Sequence, residues 1–125
     1  EYVTVTTSKR TYSLSEDIQF EVVFKDWVDW NGNGSEWFEK KTDQGWQKVG
    51  KYQPSPSDVA EEPFPLGPEP DPDIKFQFSM PTTSRPGSAY IYNLTTGTYR
   101  LEKTCWHIES AQNITIYSSE FEVTE

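Results

Sequence analysis

Between Asp17 and Lys25 every second side chain is apolar. Ile18, Phe20, Val22 and Phe24 fall on one face, and Gln19, Glu21, Val23 and Lys25 on the other. A repeat of two predicts a half-buried β-strand, because successive strand side chains point to opposite faces. The same period recurs along the chain. Glu1 to Ser8 sets Val3 and Val5 against Tyr2, Thr4 and Thr6, which predicts a first strand. Trp37 to Lys41 and Trp46 to Tyr52 read as a hairpin, with Thr42-Asp43-Gln44-Gly45 as the turn and Gly where positive φ is needed. Ile74, Phe76, Phe78 and Met80 resume strict alternation, Pro81 to Gly87 is a turn, and Ala89 to Asn93 is a short aromatic strand. Thr98 to Trp106 and Ile114 to Val123 close the chain. In the last segment the apolar phase slips between Ile116 and Phe121, which predicts a bulge or bend near Ser118 and Ser119. No segment supports a helix of any length, and no internal repeat is visible.

Two stretches qualify this pattern. Leu94-Thr95-Thr96-Gly97-Thr98-Tyr99-Arg100 is a Gly-marked turn feeding a strand, with a Tyr at the corner. In immunoglobulin-type sandwiches such a Tyr ties its hydroxyl back to nearby backbone. Seven or more short strands with frequent turns fit the same architecture. The fold class expected is therefore all-β, an immunoglobulin-like β-sandwich of about seven to nine strands without a disulfide, in a single domain over 1–125. The second stretch, 53–73, holds seven of the nine prolines and six carboxylates, and no Lys or Arg. Proline removes ladder donors, so this is a long acidic loop and not a central strand. Phe64 and Leu66 are expected to pin its middle to the core.

Composition agrees. With 125 residues the chain is long enough to bury a real core. Tyr, Phe and Trp are abundant, while Leu and Ala are scarce, which leans all-β. The net charge of −9 disfavours nucleic acid and anionic membrane surfaces, which need basic patches. Proteins, sugars and cations remain as partners. No apolar run approaches membrane-spanning length, so no membrane insertion is expected. Cys105 is the one cysteine, so no intrachain disulfide can form, which favours a cytosolic or archaeal setting. No signal peptide is visible, although a chain of this kind can begin after a cleavage site.

The order of signals resembles the Ig-like domains of bacterial and archaeal surface proteins. The matching residues are Tyr12-Ser13-Leu14-Ser15-Glu16-Asp17-Ile18, Gly45-Trp46-Gln47-Lys48-Val49, Leu94-x-x-Gly97-x-Tyr99-Arg100 and Glu120-Phe121-Glu122-Val123. The resemblance implies a disulfide-free, extracellular or cell-surface sandwich used as a spacer, an adhesive module or an assembly unit. Such domains share no active site, so no catalytic residue carries over and no enzyme is expected. The long Pro-acidic insert and the stretch 26–35 depart from the pattern.

Several residues invite chemistry. Asp29-Trp30-Asn31-Gly32-Asn33-Gly34-Ser35 matches the first half of an oxygen-ligand calcium loop, with Asp26 and Glu36 able to add charge. Lys40 stands where a bidentate Glu belongs, and a polar Asn-Gly turn is the plainer reading. Calcium is the only cofactor the sequence suggests. Three of the four asparagines, Asn33, Asn93 and Asn113, lie in Asn-x-Ser/Thr sequons. Ser and Thr make up about a fifth of the chain, so fewer than one such match is expected by chance. Trp37 and Trp46 read as core. Trp27 and Trp30 follow the strand that ends at Lys25 and are the better candidates for an exposed contact surface, including a sugar-stacking one. His107 is the only histidine; no second Cys or His completes a metal site with it and Cys105, and no motif places a Ser beside it. Cys105 itself reads as a small strand hydrophobe. The carboxylate pairs Glu61 with Glu62 and Asp71 with Asp73 sit in the Pro-rich loop, where solvation is expected.

The first strand carries no Pro or Lys until Lys9, so nothing in it guards against pairing with another chain. The leading expectation is a non-enzymatic extracellular structural module, with Val3 and Val5 as contacts in a cell-surface filament built by strand exchange. The alternatives are a carbohydrate-binding module using Trp27 and Trp30, and an accessory or inhibitor domain of a larger protein.

Overall fold

The alternating segments form strands that close two packed sheets over one aromatic core. The computed structural model describes residues 2–30, 36–52 and 75–125. Among these, the strands are β1 (Val3–Thr7), β2 (Thr11–Ser13), β3 (Ile18–Phe24), β4 (Val28–Asp29), β5 (Glu36–Thr42), β6 (Gly45–Val49), β7 (Lys51–Tyr52), β8 (Lys75–Met80), β9 (Tyr90–Ile91), β10 (Gly97–His107), β11 (Gln112–Tyr117) and β12 (Phe121–Thr124). The smaller sheet has the order β1-β3-β8. The larger runs β2-β12-β10-β5-β6, with β4 and β11 also paired to β10, and β7-β9 forms a separate ribbon. Among the described residues only the β2–β12 ladder is parallel, beside an isolated parallel bridge between Val5 and Ser118. The strands outnumber the seven to nine expected because several are two- or three-residue fragments and because two expected strands are broken.

The β3 register follows the sequence pattern. Ile18, Phe20, Val22 and Phe24 are buried, and the intervening residues face out. Phe20 stacks on Phe78 and meets Phe38 and Phe121, so the two sheets touch through aromatic rings. Tyr99 forms the expected corner: its hydroxyl donates to the Thr95 carbonyl at 2.7 Å and accepts from the Thr95 amide at 3.1 Å. Gly45 takes φ +99° in the β5–β6 turn. Gly50 has φ +93°, and a Cβ there would lie 2.3 Å from the Ile91 carbonyl oxygen, so only glycine allows β7 to approach β9.

The phase slip is a bulge. Tyr117 opposes Glu102 and Phe121 opposes Tyr99, so Ser118, Ser119 and Glu120 face only Leu101 and Arg100. The Ser118 amide donates to the Leu101 carbonyl, and the Ser118 hydroxyl accepts the Leu101 amide at 2.8 Å, so a side chain completes the interrupted ladder.

Two assignments need correction. Trp37 and Trp46 are not core; they stand half-buried on the outer face of the larger sheet, because Phe38 and Val49 take the inward positions of that hairpin. Trp30 belongs to the core in their place. Ile74, Phe64, Leu66 and the carboxylates of the Pro-rich loop lie outside the described residues.

Candidate interaction surface

β1 sits at the seam between the sheets. Val3 and Val5 are 2% and 4% exposed and point into the core. They are therefore not an exposed contact surface, because β1 pairs along its length with β3 of its own chain. The Lys25 amide donates to the Tyr2 carbonyl and the Ser8 amide to the Gln19 carbonyl, so even-numbered residues bond to β3. Val3, Val5 and Thr7 thus turn their backbone groups the other way. There the Ser119 amide donates to the Val5 carbonyl at 3.0 Å, and the Thr7 amide donates to the Ser119 hydroxyl at 3.1 Å. Past this stitch β1 and β11 leave a cavity of about 360 Å³, lined by Tyr2, Val3, Val5, Ile114, Ile116 and Tyr117 among others.

Each end of β1 is anchored by side chains. The Tyr12 hydroxyl accepts the Lys9 amide at 3.0 Å and donates to the Gln19 carbonyl at 3.3 Å, fixing the turn that carries the chain from one sheet to the other. At the opposite end the Tyr2 ring stacks on His107 at 3.8 Å. His107 Nε2 donates to Asp26 Oδ2 at 3.0 Å, and its Nδ1 lies 2.6 Å from the Ser110 hydroxyl. In the neutral imidazole a proton on Nε2 leaves Nδ1 as an acceptor, to which the Ser110 hydroxyl then donates and toward which the Ser110 amide points at 3.4 Å. The bond from His107, followed by the amide of Trp27, holds the Asp26 carboxyl below the usual range. A serine does stand beside His107. It comes from the β10–β11 turn, three residues on, where no motif marks it. The cluster ties that turn to the segment after β3.

The outer face of the larger sheet carries a second constellation. Alternation puts Trp37 and Glu39 of β5, Trp46 and Lys48 of β6, Arg100 and Glu102 of β10, and Tyr117 of β11 on one surface. The Arg100 guanidinium lies between the rings of Trp46 (4.3 Å) and Tyr117 (3.8 Å), and its Nε donates to Glu39 at 2.7 Å. Lys48 reaches Glu102 at 3.5 Å and covers Trp37. Glu39 and Glu102 are nearly buried beneath these rings. Burial, and then the Glu39 carboxyl beside it, push the Glu102 carboxyl above its ordinary range. Sequence reading missed this face; the available signal was the polar-aromatic alternation of the outward positions.

The remaining predicted residues separate. Trp27 is 44% exposed, but Trp30 is 5% exposed, edge-on to Phe24 and Phe76 with the Lys103 ammonium 5.0 Å from its ring centre. The expected Trp27–Trp30 platform is thereby corrected: strand β4 pairs with β10 and turns the second indole inward. Asp26 gives its oxygens to His107 and Trp27, Asp29 lies opposite Trp106, and Glu36 lies opposite Lys103. Asn31 and Asn33 lie outside the described residues. Among the described residues no three His, Cys, Asp or Glu converge as metal ligands. Asn93 and Asn113 are both exposed. Among the described residues no helix is long and apolar enough to cross a membrane. No family model matches the sequence, and none of the curated proteins is detectably similar to it.

Proposed function

We propose that this chain is an immunoglobulin-like, non-enzymatic structural module that works outside the cell and associates with further copies of itself by exchanging β1. The fold reading is supported by a three-strand sheet facing a five-strand path, by the parallel β2–β12 ladder at one edge, and by the Tyr99 corner. The extracellular reading draws on the sequons and on the likeness to surface domains noted above.

The observation that carries exchange is the seat of β1. One full ladder to β3, two bonds from Ser119, the two valines and the Tyr2–His107 stack hold it. Each of these contacts involves residues of the seat that would meet the same strand from a neighbour, so pairing within the chain and between chains draws on identical chemistry. Exchange of this kind is head-to-tail and builds an open filament unless the rotation closes.

The test is truncation and rescue. A chain lacking 1–8 should remain folded but lose stability. A synthetic peptide of residues 1–8 should restore its melting temperature, since a ligand that binds only the folded state stabilises it. The intact chain should form larger species as concentration rises. If it stays a monomer at every concentration, exchange is wrong and the chain is a spacer.

A second reading, sugar binding, moves from Trp27 and Trp30 to the outer face, because Tyr117 is 46% exposed beside Trp46 and Arg100. Soluble polysaccharide that quenches tryptophan fluorescence in the native chain, but not in Tyr117→Ala, would favour it.

A further inference from the structure

The sequon Asn113-Ile114-Thr115 lies on β11. Asn113 and Thr115 are two residues apart on one strand, so both side chains stand on the outer face, and both are exposed. The Asn113 carboxamide makes no hydrogen bond to another described residue. Its cross-strand partner is Trp106. In an antiparallel ladder, bonded and non-bonded pairs alternate. Ser118 bonds to Leu101, so Ile116 with Lys103 and Ile114 with Cys105 are the bonded pairs. Asn113 and Trp106 are therefore the closer, non-bonded kind, with Cα atoms about 4.5 Å apart. Cys105 and His107 on either side of Trp106 are buried, so its indole is turned to the outer face, half-buried and stacked on no ring among the described residues. An indole with no ring partner, beside an exposed carboxamide with no hydrogen bond, both among the described residues, is a platform for the apolar face of a sugar ring attached at that amide.

We propose that Asn113 is a site of N-linked glycosylation and that the first sugar of the glycan packs on Trp106. The inference rests on the extracellular reading, because the sugar donor is met during export. In the step, Asn113 Nδ2 forms a bond to the anomeric carbon of an oligosaccharide activated as a polyprenyl diphosphate. The anomeric C–O bond breaks, the polyprenyl diphosphate leaves with the electron pair, and one amide proton passes to a base of the transferase.

Asn93 supplies the comparison. It is exposed and stands in a sequon, but its Oδ1 accepts from the Thr83 hydroxyl at 2.6 Å, and its bridge partner is that threonine and not an aromatic residue. A glycan there has no indole as its cross-strand neighbour.

The chain, with Asn93→Gln and Asn33→Gln changes to isolate the site, is secreted from a eukaryotic host and mapped by mass spectrometry. Asn113 should carry a hexosamine-based glycan that an amidase releases, leaving Asp. Release under native conditions should lower the melting temperature by a few degrees. In Trp106→Ala the glycan should still be attached, but its release should no longer change the melting temperature. An unmodified Asn113 in the secreted chain overturns the inference and leaves the structural module standing. An equal loss with and without Trp106 overturns the packing. A chain retained inside the cells of its source overturns the extracellular reading and this inference with it.

Discussion

Glu102 shows how one residue can be costly where it stands. Its carboxyl is nearly buried, Glu39 lies beside it, and Lys48 offsets only part of the charge. An acid whose pKa is raised by folding binds its proton more tightly folded than unfolded. Its contribution is therefore best at low pH and is lost as pH rises from the ordinary glutamate value through the raised one. Glu102→Gln should melt at or above the native temperature at neutral pH, with the advantage gone below the ordinary glutamate value. Lys48 is exposed enough that losing its ion pair costs little. A Gln variant that is less stable at neutral pH, by thermal melts across pH, would assign Glu102 a net stabilising role. Cys105 follows from the same physics: burial pushes its thiol up to about 11. It should resist alkylation at neutral pH until denaturant opens the sandwich, read as adduct mass against denaturant concentration.

At the scale of the element, register decides the cost of a substitution. Phe20 is fully buried against Phe78 and Phe121, so Phe20→Ala should cost about 3–5 kcal/mol through the cavity it leaves. Its neighbour Glu21 faces outward near Gln77, and Glu21→Ala should cost under about 0.5 kcal/mol. Chemical denaturation of both variants checks the pair, and equal losses would place β3 in the other register. The β11–β12 bulge has its own test. Ser118→Ala removes the acceptor of the Leu101 amide in a buried setting, which should cost about 1–3 kcal/mol. The phase slip between Ile116 and Phe121 was legible because an extra residue inverts the apolar alternation. The hydroxyl that repairs the ladder was not, since any small residue satisfies the pattern.

For the whole molecule, charge opposes the association proposed for it. A net charge of −9 on 125 residues makes copies repel at low salt. Repulsion falls as the screening length shrinks from about 30 Å at 0.01 M to about 8 Å at 0.15 M ionic strength. Sedimentation should therefore show larger species at the higher ionic strength and fewer at the lower. The opposite trend would mean that attraction between charged patches, and not strand exchange, drives contact.

What the sequence determined by itself was local: the longer alternating strands, though not the short β2 and β4, which face of β3 is inward, where Gly45 turns the chain, where Tyr99 makes its corner and where the last strand slips. These depend on a period of two and on the φ preferences of single residues, which a chain carries without reference to distant parts. What the tertiary structure alone decided was adjacency. Arg100 meets Glu39 across 61 positions, and Asp26 meets His107 across 81. The difference between Trp27 in solvent and Trp30 in the core arises the same way, because β4 pairs with β10 and turns one indole inward. Alternation tells which way a side chain points, but its neighbours depend on which strands come together and in what register, and that is set by the packing of the whole sandwich.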